Sequence, residues 1–258
     1  MKLLRFILLV VCLSGVTGMR LYAQLTGDCV FLQGAFVEVG VAPNGGFGST
    51  LPAPSGYHPN LSASINFWDP GAGTMTSSTN FLGFVADFGR DGWTTGTPPF
   101  FGDYYLPGSP QEGWAIEVNG VRSTAYIPRY QFSGASGYSG TLTGTNTGYS
   151  SGSGISKGVW TGAQGALAIR QTTTLDTSKL YFTVNVVLTN TGTTALTNIY
   201  YFRTVDPDNE QTRTGSFNTN NTITYQLPNP GSKVLVSAVG TGAFASNAYL
   251  GLGTKDCR

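Results

Sequence analysis

The segment KLYFTVNVVLTNTG, residues 179–192, alternates apolar and polar side chains with a period of two residues. Successive side chains of an extended strand point to opposite faces, so this period predicts a strand with one face against a core and the other toward solvent. A helix would scatter the same large side chains around its axis, so the pattern constrains the chain to a β architecture. The predicted inward set is Leu180, Phe182, Val184, Val186 and Leu188, and the outward set is Tyr181, Thr183, Asn185 and Thr189.

Further strand patterns occur along most of the chain. The clearest turn signal is Asn119-Gly120, which predicts a tight hairpin between two alternating arms. The segment LTNIYYFRTVD, residues 196–206, carries bulky side chains on both faces and predicts a central strand of its sheet. Other strands are predicted within residues 36–41, 80–88, 222–228 and 233–240.

Helix signals are nearly absent, because no apolar periodicity of a helix occurs and 36 Gly and 13 Pro are scattered through the chain. Many short strands with frequent turn signals predict an all-β fold, a large antiparallel β-sandwich with few or no helices in the mature chain. Residues 24–258 are predicted to form one such domain. The Gly- and Ser-rich region 133–154 leaves open a linker between two domains, although Tyr138, Leu142 and Tyr149 recur in it and favour polar strands.

The first 23 residues have the pattern of a secretory signal peptide. Lys2 and Arg5 precede an apolar run over residues 6–13, which is too short to cross a bilayer of about 30 Å. Cleavage is expected after Ala23, with Gly18 as the weaker alternative. Cys12 does not match a lipoprotein signal well, because the bulky Val11 precedes it. No later apolar stretch is long enough for a membrane span, so a secreted or cell-surface protein is expected.

Charge and cysteine content agree with export. Loss of residues 1–23 changes the formal charge from +1 to −2, leaving 11 basic against 13 acidic residues, which excludes binding to nucleic acid by phosphate neutralisation. Cys29 and Cys257 then remain, one near each end of the mature chain, and an oxidising compartment favours a disulfide between them. The alternative is that this sequence ends early and Cys257 has its partner elsewhere.

Three segments together resemble a known group of proteins: GDCVFLQGAFVEVGVAPNGGFGS (27–49), GRDGW with GDYYLPGSPQEGW (89–114), and LTNTGTTALTNIYYFRTVDPDNEQ (188–211). They resemble the N-terminal β domains of large secreted surface proteins of Bacteroidetes-type bacteria. That resemblance implies a surface location and a β fold but no activity. Residues 166–211 also resemble, more locally, the central hairpin of the galactose-mutarotase-like supersandwich.

Acidic and aromatic residues are concentrated in a Gly- and Pro-rich segment, residues 87–114. Rings that stack on the apolar face of a sugar, with acids and Arg that bond its hydroxyls, form a typical ligand site on loops. The predicted ligand-binding set is Asp87, Arg90, Asp91, Trp93, Asp103, Glu112 and Trp114. The equally open alternative is that Trp93 and Trp114 fill the core.

A second cluster follows the strand at 196–206. Asp206, Asp208 and Glu210 offer hard oxygen ligands within five residues, which makes calcium the candidate metal and the only candidate cofactor. The alternative is a strand end, with Pro207 stopping the strand and the polar side chains bonding local backbone. His58, the one histidine, precedes Pro59 in a turn-rich stretch and is interpreted as a surface turn residue.

These patterns contain no catalytic motif, and no catalytic residue is predicted. We expect an exported, non-enzymatic β-sandwich module for adhesion or ligand binding, with glycans or other surface proteins as candidate partners. The alternative is a carbohydrate-binding or carbohydrate-active protein of mutarotase-like architecture, in which a His and a carboxylate would transfer protons.

Overall fold

The computed structural model describes residues 23–49, 51–58, 65–69, 74–78, 82–87, 89–93, 103–105, 112–127, 142–205, 207, 209, 218–226, 234–241 and 249–254. Within these residues the chain is all-β and contains no helix, as the sequence predicts. Accordingly, no helix in this part has the length and apolar character needed to cross a membrane. The strands are β1 (Ala23–Thr26), β2 (Cys29–Gln33), β3 (Val37–Val41), β4 (Ile65–Asp69), β5 (Thr74–Ser78), β6 (Phe84–Ala86), β7 (Asp103–Tyr105), β8 (Glu112–Val118), β9 (Val121–Ile127), β10 (Thr143–Gly152), β11 (Ile155–Gln164), β12 (Leu167–Asp176), β13 (Phe182–Asn190), β14 (Tyr200–Val205), β15 (Thr219–Tyr225), β16 (Val234–Gly240) and β17 (Tyr249–Thr254).

All described strand pairs are antiparallel, and they form five sheets. The strand orders are β1-β2-β3-β6-β7, β10-β11-β12-β13, β14-β8-β9, β15-β16-β17 and β4-β5. The predicted hairpin is present between β8 and β9, where Asn119 and Gly120 adopt φ angles of 53° and 78°. Positive φ at both central residues is the geometry of the tight turn that matches strand twist.

The period-two pattern predicted within residues 179–192 is confirmed in β13. From Phe182 to Leu188 the apolar residues Phe182, Val184, Val186 and Leu188 are half-buried and those between them are exposed. Leu180 was predicted to join this inward row, but it precedes the strand and is exposed. Leu180 lies instead in the connection between β12 and β13, directly after a turn in which the Lys179 N–H donates to the Asp176 carbonyl.

Among the described strands, β14 lies at the edge of its sheet and pairs only with β8, so the predicted central position is not found there. Its two faces are those expected, with Tyr201 and Arg203 on one and Tyr200 and Phe202 on the other. The outward aromatic pair is exposed rather than covered. The large side chains on the second face of β14, Tyr200 and Phe202, therefore face solvent and are not packed against another layer of the protein.

The inner face of the β10–β13 sheet packs against β2 and β3 and against β8 and β14. One cluster joins Leu32 and Val39 to Leu175, and a second joins Trp114 and Ile116 to Ile169. These contacts bury apolar surface from both layers, which is the main favourable term in folding. The single large sandwich that would unite all sheets remains a prediction.

Trp160 of β11 lies over two glycines, Gly162 in its own strand and Gly144 in β10, which pair across the strands. A Cβ at either position would collide with the indole ring. The run of Gly in this polar region therefore has a packing reason. Glycine makes a flat surface on which the largest side chain of the sheet can lie.

Gly144→Ala is expected to lower the free energy of unfolding by about 1–3 kcal/mol, because the added methyl group displaces the Trp160 ring. Gly152→Ala is a matched control in the same strand, since a Cβ there meets nothing within 4 Å. Urea denaturation of both variants measures the difference. Equal midpoints for the two variants would contradict the packing described here.

Three further predictions concern segments of which the structure describes only a part. The Cys29 side chain is buried, and no disulfide is seen in the described part of the chain, but Cys257 lies outside it, so their pairing remains a prediction. Ala23, where cleavage is expected, is buried in β1 and pairs with Leu32. The second half of the Gly- and Ser-rich region forms β10, while residues 128–141 lie outside the description.

Candidate functional site

Trp114, one of the two tryptophans predicted to bind ligand, is fully buried at 0% exposure. Its Nε1 donates to the Asn44 carbonyl at 3.0 Å, and its ring meets that of Trp160 edge to face with centroids 5.1 Å apart. Trp160 Nε1 donates in the same way to the Pro43 carbonyl at 2.8 Å. The two indoles thus fix the 43–44 loop to the core, which is the alternative role considered from the sequence.

Glu112, another predicted ligand residue, forms a buried ion pair with Arg203 of β14. Arg203 Nε donates to Glu112 Oε1 at 2.7 Å, and the Phe47 N–H donates to Oε2 at 2.5 Å. The guanidinium also stacks on the Phe47 ring, 3.8 Å from its centroid, and donates from Nη1 to Gln171 Oε1 at 3.1 Å. The carboxylate is therefore held by one cation and one amide inside the protein.

Burial raises the pKa of the Glu112 carboxyl, although Arg203 and the Phe47 amide lower it in part. The charge of Glu112 in turn contributes to raising the pKa of Arg203. Arginine stays protonated throughout the physiological range, so a neutral Glu112 would leave that cation buried without a counterion. The Glu112–Arg203 pair is therefore ionised. Burial also raises the pKa of the neighbouring Tyr201 hydroxyl.

Asp87 organises the turn that contains three other predicted ligand residues. Its carboxylate accepts the N–H groups of Asp91, Gly92 and Trp93 at 3.2, 2.9 and 3.1 Å. Arg90 and Trp93 have positive φ angles of 54° and 66°. The Trp93 N–H donates to the Asp87 carboxylate, and the Arg90 N–H donates to the Asp87 backbone carbonyl at 3.2 Å. Asp87, Arg90, Asp91 and Trp93 are thus brought together, but the Asp87 oxygens are occupied by backbone and Trp93 is buried.

His58 follows the turn at 55–56 and is half-buried, and it contacts the buried carboxylate of Glu38, a partner that its interpretation as a surface turn residue did not include. The imidazole Nδ1 of His58 lies 2.9 Å from Glu38 Oε1, and the backbone N–H of His58 donates to Glu38 Oε2 at 2.6 Å. The His58 and Trp93 rings stack with centroids 4.3 Å apart. Gln33 Nε2 also donates to Glu38 Oε1 at 2.8 Å, so this carboxylate ties the 56–58 loop to β3. Burial, with a smaller contribution from Glu38, raises the pKa of Tyr57.

The remaining predicted residues are only partly described. Asp103 lies in β7 opposite Val85 of β6. Asp206, Asp208 and Glu210 lie outside the described residues, so the calcium site remains a prediction. Within the described ranges, no group of three or more His, Cys, Asp and Glu residues could hold a metal ion.

An open cleft lies on the outer face of the β14-β8-β9 sheet, and sequence reasoning missed it. Tyr200 and Phe202 are 62% and 57% exposed, two residues apart on the same face of β14. Across the sheet, Tyr200 pairs with Glu117 and Phe202 pairs with Ala115. Glu117 pairs in turn with Arg122 of β9, and their side chains form an ion pair. The cleft volume is about 510 Å³.

Local sequence explains this arrangement. Tyr201 and Arg203 alternate with Tyr200 and Phe202, and the buried pairing of Arg203 with Glu112 fixes which face of β14 points inward. The aromatic pair must then face outward, because a shift by one residue would exchange the faces. The tight hairpin at 119–120 places Arg122 opposite Glu117 in the next strand. We call Tyr200, Phe202, Glu117 and Arg122 the outer cleft.

No family model, no curated protein and no solved structure matches the chain.

Proposed function

We propose that this protein is an exported, non-enzymatic β module that binds a ligand at the outer cleft and serves in adhesion. One observation carries the proposal: two large aromatic side chains stand exposed beside an ion pair in an open cleft. Exposed apolar side chains that lie next to one another and are bordered by polar groups mark binding sites more often than single exposed side chains do. Elsewhere the aromatic residues that were predicted to bind ligand pack in the core.

The proposed location at or beyond the cell surface is supported by the leader-like residues 1–23 and by the resemblance to secreted surface proteins of Bacteroidetes-type bacteria. The low content of charged residues, 10% of the chain, fits an exported β protein whose surface is built from Gly, Ser, Thr and Asn. Glycans and other surface proteins are the proposed partners.

The second candidate function is carbohydrate binding, with or without mutarotase-like chemistry. A sugar has an apolar face and a rim of hydroxyls, and the outer cleft has aromatic rings next to a carboxylate and a guanidinium. We therefore propose the outer face of β14 as the sugar site, in place of the segment around Trp93 and Trp114, whose rings are buried.

Calcium remains a proposed ligand of Asp206, Asp208 and Glu210. A cation that binds only the folded state raises its melting temperature. A melting temperature that calcium leaves unchanged would remove this part of the proposal.

Replacing Tyr200 and Phe202 together by Ala is expected to weaken ligand binding by about 5- to 150-fold, because each aromatic contact contributes about 0.5–1.5 kcal/mol. The measurement is retention of the protein, without residues 1–23, on a panel of immobilised polysaccharides and extracellular matrix proteins. Tyr181→Ala is the matched control, since Tyr181 is 60% exposed but lies outside the cleft.

Circular dichroism of each variant checks that folding is intact. Loss of retention in the double variant but not in Tyr181→Ala supports the proposal. The proposal is refuted if neither the double variant nor Tyr181→Ala changes the retention. It is also refuted if the unmodified protein is retained on no member of the panel.

A further inference from the structure

We propose that the outer cleft takes an uncharged saccharide chain that lies along β14, with successive sugar units over Phe202 and Tyr200. This inference rests on the proposed binding function and specifies its ligand. The hydroxyls of the unit over Tyr200 are then bonded by the Glu117–Arg122 ion pair.

The size of the cleft favours a small or narrow ligand. Its volume of about 510 Å³ lies within the roughly 300–1,000 Å³ of typical small-molecule sites. A stable protein partner would cover about 800 Å² on each side. The cleft residues belong to two short strand segments and one hairpin arm, which offer a strip rather than a broad patch.

The two ends of the cleft differ in polarity. One cross-strand row is Tyr200, Glu117 and Arg122, with an aromatic ring beside two charged groups. The next row is Phe202, Ala115 and Thr124, with an aromatic ring beside small side chains. A ligand that matches both rows is amphipathic along its whole length, with apolar faces toward the rings and hydroxyls at one side. A saccharide chain has this character.

The distance between the rings favours more than one sugar unit. Residues two apart in a strand are separated by about 6.6 Å along it. Each ring therefore offers its own stacking position, and a chain that follows β14 can use both. A single sugar unit would use only one of them.

The ion pair favours an uncharged ligand. Glu117 and Arg122 largely neutralise each other in the cleft, with side chains 18% and 55% exposed. A sugar carboxylate would have to displace Glu117 from Arg122 and would then face the Glu117 charge. Neutral hydroxyls can instead donate to Glu117 and accept from Arg122 without breaking their contact.

Isothermal titration of the protein without residues 1–23 tests this inference. The probes are four neutral tetrasaccharides (of β-1,4-glucose, α-1,4-glucose, β-1,4-mannose and β-1,4-xylose), their monosaccharides, and tetragalacturonate. At least one neutral tetrasaccharide is expected to bind at least about tenfold more tightly than its monosaccharide and than tetragalacturonate. Glu117→Gln removes the charge that repels a sugar carboxylate. It is expected to lower the ratio of the affinity for the neutral tetrasaccharide to the affinity for tetragalacturonate by at least about threefold.

Equal affinity for tetragalacturonate, equal affinity for the monosaccharide, or no binding of any neutral tetrasaccharide at millimolar concentration would overturn the inference. In these cases retention on a matrix protein or a charged polysaccharide that depends on Tyr200 and Phe202 would leave the proposed binding function standing. Where no saccharide binds, the absence of any such retention would refute both.

Discussion

Replacing Arg203 by Met is expected to lower the free energy of unfolding by about 3–5 kcal/mol, because it leaves the Glu112 carboxylate buried without its cation. Glu112 is buried, and Arg203 is its ion-pair partner between the layers. The variant also loses the stacking of the guanidinium on Phe47. Guanidinium denaturation of the unmodified protein and the variant, with the slope checked for two-state behaviour, measures the loss.

Arg122→Met is the matched control, since it breaks an ion pair that is half open to solvent. It should change stability by no more than about 1 kcal/mol. The double variant Glu112→Leu/Arg203→Met should recover part of the loss, because no unpaired charge remains. Equal losses for Arg203→Met and Arg122→Met would contradict the buried position of the first pair.

Replacing Trp160 by Ala is expected to cost about 3–5 kcal/mol, the second large effect. The substitution leaves a cavity above Gly144 and Gly162, and it removes the edge-to-face contact with Trp114. It also leaves the Pro43 carbonyl without the indole donor. Chemical denaturation followed by intrinsic tryptophan fluorescence measures this loss of stability.

Tyr149→Ala in the neighbouring strand β10 is the control, because Tyr149 is 50% exposed. A surface substitution of this kind changes stability by about 0.5 kcal/mol or less. A loss below 1 kcal/mol for Trp160→Ala would mean that the β10–β13 sheet does not pack on this ring.

Local patterns were sufficient for much of the fold. The alternation in β13 and the Asn-Gly turn between β8 and β9 depend on neighbours in sequence, and both were predicted. The edge position of β14 could not be predicted from local sequence, because it depends on which strands distant in sequence pair with each other. Period-two analysis finds the two faces of a strand but not whether a layer covers the second face.

The site was harder to predict for the same reason. Trp93 and Trp114 lie close to acids in sequence, and this proximity suggested a ligand site, yet the acids bind backbone amides or Arg203 in the folded chain. A signal was present: Arg203 and Glu38 are single charges within apolar strands, and a buried charge requires a partner. Assigning Arg203 inward would have turned Tyr200 and Phe202 outward, toward the cleft.

Hydroxyl-radical footprinting with mass spectrometry tests most directly which aromatic residues face a ligand. We expect Tyr200 and Phe202 to be oxidised rapidly and Trp114 and Trp160 to be protected, in keeping with their exposures of 62%, 57%, 0% and 1%. Adding a saccharide that the protein retains should protect Tyr200 and Phe202 alone. Rapid oxidation of Trp114, or ligand protection at Trp114 with none at Tyr200 and Phe202, would contradict the account.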